Sequence, residues 1–167
     1  MPESEYIPTG PYFLKSGNSI GKSLEELMFE NYSLLLVMRS KITVAKNEMQ
    51  MHLLWLFERG EDRVACLICE HCGKEKITHF AYSYSEKKYY KGCNGIVCRG
   101  ALLSRANRYL LKFSSIAHFS WGSQSYISAF LKSVFFPGCL HTGDVPKGHE
   151  NPTAQQLFEF FSAPSPP

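Results

Sequence analysis

The stretch CLICEHCGK, residues 66–74, places three thiols within seven residues, and two more follow in GCNGIVCRGALL. Zinc takes four ligands in a tetrahedron, and thiolates separated by two residues can reach one ion without straining the chain. The spacing Cys69-x2-Cys72 followed by Cys93-x4-Cys98 therefore predicts a four-thiolate zinc site. Cys66 remains an alternative ligand in place of Cys69 or Cys72.

The knuckle itself has the residues that a thiolate needs. Gly73 directly after Cys72 allows a tight turn that aims backbone N–H groups at the sulfur. Four thiolates close the coordination shell, which is typical of a structural zinc site, whereas a catalytic zinc keeps a position open for water. The His-x-Glu motif of zinc deaminases stands before neither cysteine pair. We therefore expect no enzymatic activity and no small-molecule substrate.

The cellular compartment decides whether six cysteines indicate disulfides or metal. The N-terminus MPESEYIPTG lacks the basic and then apolar pattern of a signal peptide, and no apolar run reaches the ~18 residues of a membrane span. We expect a cytoplasmic protein without membrane association. In that compartment thiols stay reduced, so metal binding is the favoured interpretation.

The net charge of +3 is unevenly distributed along the chain. Residues 1–62 carry six Lys/Arg and nine Asp/Glu, residues 63–113 carry ten and three, and residues 114–167 carry two and three. The positive charge is thus concentrated in the segment with five of the six cysteines. Such a basic module favours a polyanionic partner, DNA or RNA.

Aromatic and basic residues alternate in this segment in a way that suits nucleic acid. Phe80, Tyr82 and Tyr84 share one face of a predicted hairpin, and aromatic rings stack on bases while cations hold phosphates. On the predicted helix that follows, the spacing of Arg105, Arg108 and Lys112 forms one stripe. The candidate nucleic-acid contacts are Lys74, Lys76, Tyr82, Tyr84, Lys87, Lys88, Lys91, Arg99, Arg105, Arg108 and Lys112.

Helix signals dominate outside the cysteine segment. Ser23 and Glu26 have the spacing of a capping box and predict a helix from Leu24, which Asn31 interrupts before a second helix. A third helix is predicted from Thr43 to about Gly60, with His52 as a hydrogen-bonded core residue. Later helices are predicted in RGALLSRANRYLLKF, in SQSYISAFLKSVFF and in TAQQLFEFF, the last with Asn151 as its cap and Pro152 at its first position.

These elements predict an α+β protein in which a helical N-terminal part packs on a four-Cys finger and further C-terminal helices complete the core. The expected segments are an N-terminal module (1–62), the finger with its basic hairpin and helix (63–113), a helix and loop (114–150), and a short helix with a flexible tail (151–167). An alternative function is a protein-interaction adaptor that docks partners through the aromatic stretches QQLFEFF and VFFPG.

Three resemblances bear on these expectations. The knuckle, hairpin and helix with a ligand at its start resemble a treble-clef or zinc-ribbon finger over about residues 64–112. Gly21-Lys22, Leu24, Leu27 and Tyr32 match the small module appended to exonuclease X-type proteins, which implies an accessory nucleic-acid or partner-binding element without nuclease activity. The Cys-rich finger followed by CRGALLSRANRYL and WGSQSYISAFLKSVFFPG is similar to the small Cas8-like subunit of type IV CRISPR effectors. That likeness implies a non-catalytic subunit of a nucleoprotein complex that has protein partners and recognises duplex DNA.

Overall fold

The structure is a computed structural model, and it describes residues 6–63, 69, 72–75, 79–83, 88–93, 108–109, 113–118, 128, 131–132, 135–136 and 151–164. Several predicted site residues lie outside these ranges: Cys66, Lys76, Tyr84, Lys87, Cys98, Arg99, Arg105 and Lys112.

The first two helices begin and end where the sequence signals place them. Helix α1 spans Leu24–Glu30, and its capping box is complete: the Ser23 hydroxyl accepts from the Glu26 N–H at 3.1 Å, and the Glu26 carboxylate accepts from the Ser23 N–H at 2.7 Å. Asn31 ends α1 and caps α2, Tyr32–Ser40, with its side chain accepting from the Leu34 N–H. Local capping chemistry therefore decides these boundaries.

Helix α3, Glu48–Asp62, starts later than predicted. Its N-cap is Asn47, whose side-chain oxygen accepts from the Gln50 N–H at 3.0 Å, so the assignment of the cap to Thr43 was wrong. Both residues are good caps, and asparagine ranks slightly above threonine. The later start places His52 one turn into the helix, on its buried face.

A three-stranded antiparallel sheet follows, formed by β1 (His79–Ser83), β2 (Lys88–Gly92) and β3 (Arg108–Tyr109) in the order β2-β1-β3. The β1–β2 hairpin was predicted, but β3 was not. Arg108 lies opposite Ala81 in the register, so the helix predicted through Arg108 was wrong at this point. The amphipathic spacing of the segment is a local signal, and pairing with β1 overrides it here.

In the described part of the C-terminal half, two further helices have complete bounds, α4 (Phe113–His118) and α5 (Ala154–Ser162). Helix α5 is capped by Thr153, in a box with Gln156, so the prediction of Asn151 as cap and Pro152 as first residue was wrong. The box satisfies two N–H groups at once, which a cap at Asn151 would leave open. Among the described residues, the helices include none with the length and apolarity that crossing a bilayer requires.

The core joins the N-terminal and C-terminal helices. The Phe113 ring lies 4.9 Å from that of Phe29 in α1 and 5.4 Å from that of Phe161 in α5, measured between centroids. The backbone N–H of Phe113 donates to the carbonyl of Arg63 at 2.8 Å, which fixes α4 against the end of α3. Arg63 is buried, and its guanidinium donates to the carbonyls of Ala163 and Pro164 just after α5. Arg63 and Phe113, at the two ends of the cysteine-containing segment, are therefore anchored on a helical body made from both ends of the sequence.

Candidate metal centre

Three of the predicted thiol ligands come together in the structure. The Sγ atoms of Cys69, Cys72 and Cys93 all lie within 4.8 Å of one another, and Cys72 and Cys93 are 3.6 Å apart. With Zn–S bonds of about 2.3 Å, tetrahedral geometry separates two sulfurs by about 3.8 Å. None of these three cysteines forms a disulfide. The Cys72–Cys93 distance fits this separation, and the three sulfurs are close enough together to be ligands of one metal ion.

The knuckle between Cys69 and Glu75 forms as its sequence predicts. The Cys69 N–H donates to the Glu75 carbonyl and the Gly73 N–H donates to the Cys69 carbonyl, each at 2.7 Å. Gly73 has a φ of +66°, in the left-handed region that glycine adopts at little cost. This turn orients the N–H groups of Lys74 and Glu75 toward the Cys72 sulfur.

The knuckle creates an electrostatic environment that favours a thiolate. The backbone N–H groups of Glu75 and then Lys74 donate to the Cys72 sulfur and lower the pKa of this thiol from 9.0 to about 6. Partial burial opposes the shift, and hydrogen bonds with Cys93 and Cys69 add to it. A thiolate is the form that binds metal, so Cys72 is already a competent ligand at neutral pH.

The thiol cluster is continuous with the hydrophobic core. Cys69 and Cys93 are 0% and 1% exposed and belong to the same buried cluster as the side chains of α1 and α3. Cys72 is partly buried against that cluster. A metal bound here would tie the sheet to the helical body, because Cys69 and Cys72 precede the hairpin and Cys93 directly follows β2.

The candidate nucleic-acid residues that the structure describes lie on the knuckle and the sheet. Lys74 is exposed directly after the knuckle. Lys88 and Lys91 lie on β2, Tyr82 on β1 and Arg108 on β3, so all four positions belong to one small sheet. Because Arg108 is in a strand, the helical stripe predicted for Arg105, Arg108 and Lys112 does not form at Arg108.

A polar cluster that the sequence reasoning only partly identified lies in the helical body. His52 was predicted to be a hydrogen-bonded core residue, and the structure confirms it: His52 is 1% exposed and its Nε2 lies 2.6 Å from Oε1 of Glu25. The role of Glu25, itself 0% exposed, was missed. A glutamate in the first turn of a helix is usually explained by its favourable interaction with the helix dipole. Nothing in the sequence links Glu25 to a residue 27 positions away.

The aromatic stretch QQLFEFF is part of the core. Leu157, Phe158 and Phe161 are buried, and Phe160 packs partly buried against the same cluster. Phe135 and Phe136 of the second stretch also pack against it. Phe158 and Phe161 are therefore core residues, and Phe135, Phe136 and Phe160 lie partly buried beside them.

The chain matches no protein-family model, and it has no significant match among curated proteins or among solved structures.

Proposed function

We propose that this protein is a zinc-stabilised nucleic-acid-binding protein that serves as a non-catalytic subunit of a larger nucleoprotein complex. The observation that carries the proposal is the convergence of Cys69, Cys72 and Cys93 within 4.8 Å, inside the most basic segment of the chain. Cys98 is the proposed fourth ligand, and Cys66 remains the alternative to Cys69 or Cys72. In either case the shell is made of thiolates alone, which suits a structural ion.

In this proposal zinc fixes a four-Cys finger, and the finger presents the basic sheet. The register places Lys91 opposite Phe80 and Lys88 opposite Ser83, and Arg108 follows on the third strand. Lysine and arginine at these positions would neutralise phosphates, and Tyr82 and Tyr84 would stack on bases. A net charge of +7 over residues 63–113 supports this role, because phosphate neutralisation dominates the affinity for nucleic acid.

The metal half of the proposal is tested by elemental analysis and native mass spectrometry of freshly purified protein. We expect one zinc per chain and the loss of that zinc in the C69S/C93S double variant. Purified protein that contains no stoichiometric zinc, and that takes up none at neutral pH, would contradict the proposal.

The nucleic-acid half is tested by fluorescence anisotropy with labelled single-stranded and duplex oligonucleotides. For about four phosphate contacts, raising salt from about 50 to 200 mM should weaken binding by about a hundredfold. The K88E/K91E variant should bind more weakly with a flatter salt dependence. K41E/K46E, which makes the same charge change at exposed lysines outside the basic segment, is the matched control and should bind as the wild type does.

The two variants also separate this proposal from an adaptor function. An adaptor predicts that K88E/K91E and K41E/K46E behave alike and that affinity for oligonucleotides is negligible at every salt concentration. The burial of Phe158 and Phe161 counts against the docking surface on which that alternative was based.

A further inference from the structure

A cavity of about 180 Å³ lies between the segment 6–12 and the first turns of α3. Its lining includes the side chains of Tyr6, Tyr12, Glu48 and His52, none of which belongs to the thiol cluster. At roughly 30 Å³ per molecule, the volume corresponds to about six waters. The cavity therefore has room for one polar functional group and a short alkyl chain.

The charges around the cavity are negative. Glu48 is the ionised side chain among its lining residues, and no lysine or arginine is among them. The Glu25 carboxylate lies directly behind His52, at 2.6 Å from its Nε2. Burial raises the pKa of Tyr6, and the charges of Glu48 and Glu25 raise it further, as expected where the local potential is negative.

The residues that line the cavity offer hydrogen-bond acceptors as well as donors. Pro8 and Pro11 have no backbone N–H but keep their carbonyl oxygens. The Tyr12 N–H is already used, because it donates to Oε2 of Glu25 at 3.2 Å. The Tyr6 hydroxyl is paired with Nδ1 of His52 at 3.1 Å. The Glu48 carboxylate and the carbonyl oxygens of Pro8 and Pro11 can accept from a ligand that brings donors.

Aromatic rings complete the lining. The rings of Tyr6 and Tyr12 lie 5.9 and 5.7 Å from the ring of His52, measured between centroids, so three rings meet at one wall. Tyrosine rings attract a cation placed near them, by about 0.5–1 kcal/mol at exposed sites. Rings also accommodate the methylene groups of an alkyl stem.

We propose that this cavity binds a primary alkylammonium group, carried either by a free amine or by the lysine side chain of a protein. The three N–H donors of the ammonium match Glu48 and the backbone carbonyls, and the stem lies along the tyrosine rings. This site is independent of the zinc centre and of nucleic-acid binding, so either proposal can fail without the other.

The test is a titration of the full-length protein, as purified, with n-butylammonium chloride, followed by the backbone amide resonances of Tyr6, Ile7, Thr9, Gly10 and Tyr12. We expect saturable shifts with a dissociation constant on the order of 1 mM. The E48Q variant should weaken binding by about fivefold, the value of a partly exposed ion pair. E58Q is the matched control, since Glu58 is exposed on the same helix and does not line the cavity.

A neutral isostere and two further ligands complete the design. Butan-1-ol has the same stem without the charge and should cause no saturable shift. Putrescine and Nα-acetyl-lysine methylamide then distinguish the sources: tighter binding of putrescine identifies a free amine, and tighter binding of the lysine derivative identifies a protein side chain. Three results would overturn the proposal: butan-1-ol binds as tightly as n-butylammonium, E48Q binds with unchanged affinity, or the shifts do not saturate by about 50 mM ligand.

Discussion

Glu25 and His52 form a buried polar pair that joins α1 to α3, with Oε1 and Nε2 only 2.6 Å apart. The other hydrogen bonds of Glu25 and His52 hold the N-terminal segment in place. The Tyr12 N–H donates to Glu25, and the Tyr6 hydroxyl is hydrogen-bonded to His52. The tautomer that carries hydrogen on Nε2 satisfies all these groups, because Nε2–H then donates to Glu25 and Nδ1 accepts from Tyr6. One pair of side chains thus organises two helices and the segment that precedes them.

Removing the carboxylate should strongly destabilise the protein. E25A leaves the Nε2–H of His52 and the Tyr12 N–H without their acceptor, and at about 1–3 kcal/mol for each unsatisfied donor we expect a loss of about 2–6 kcal/mol in the free energy of unfolding. E25Q keeps an acceptor and should lose less, about 1–3 kcal/mol. Urea denaturation of both variants measures the difference. E58A, at an exposed position of α3, is the control and should change stability by less than about 0.5 kcal/mol. A similarly small effect of E25A would contradict the role assigned to the Glu25–His52 pair.

The metal-free protein should have one unusually reactive thiol. The backbone N–H groups at the knuckle lower the pKa of Cys72 to about 6, so alkylation by iodoacetamide should rise with a midpoint near pH 6. Mass spectrometry of the labelled peptide identifies the site, and C72S is the control. An ordinary thiol titrates at about 8.5, and that midpoint for Cys72 would show that the knuckle does not stabilise the thiolate.

The same shift gives the metal-free protein a pH-dependent stability with a definite sign. The folded pKa of Cys72 is lower than its value in the unfolded chain, so the folded state favours the thiolate. This contribution is complete above the unfolded pKa and is lost as the pH falls through about 6. Melting temperatures of the metal-free wild type and of C72S should therefore differ more at pH 9 than at pH 5. Parallel pH profiles of the two proteins would exclude the linkage.

In the zinc-bound protein that we propose, removing the metal with a chelator should loosen the sheet before the helical body. A small sheet has little stability of its own, and the free energy of binding a structural metal is folding free energy. Amides of β1 and β2 should lose most of their protection against hydrogen exchange, while amides of α1 keep theirs because Leu24, Leu27 and Met28 are buried in the core. Equal loss of protection in both regions would mean that the thiol cluster supports the entire fold.

Two glycines should respond to alanine with opposite signs. At Gly60, within α3, an added Cβ would meet Met28 Cε at 3.4 Å and Phe113 Cδ1 at 3.5 Å, which are ordinary contacts. G60A should therefore stabilise the protein by about 0.5–1 kcal/mol, since alanine loses less backbone entropy in a helix. At Gly21 there is open space but φ is +82°, so G21A should cost about 1–2 kcal/mol. Thermal denaturation of the two variants checks both signs.

The cysteine spacing and the capping signals were sufficient to predict several local features. The box at Ser23 and Glu26 forms as predicted, because both of its hydrogen bonds join residues three apart. The knuckle after Cys69 also forms, because Gly73 permits the turn whatever packs against it. The hairpin of β1 and β2 also forms as predicted, because neighbouring strands pair across a short connection.

Features that depend on distant residues needed the tertiary structure. Arg108 lies in a strand although its segment has a helical pattern, because β1 provides a partner that the sequence pattern does not reveal. The starts of α3 and α5 were mispredicted for a different reason. They rest on bonds within one turn, and Asn47 and Thr153, rather than the predicted Thr43 and Asn151, satisfy the first N–H groups of these helices.

The sequence by itself determined the number and spacing of the thiols, the concentration of positive charge in residues 63–113 and the capping box at Ser23 and Glu26. Only the tertiary structure decided that Cys93 returns to within 3.6 Å of Cys72, that the phenylalanines of α5 are core, and that Glu25 is the partner of His52. The physical reason is the range of the interactions: a cap or a knuckle is complete within a few residues. A buried pair or a three-thiol cluster exists only after the chain has brought residues from separate elements together.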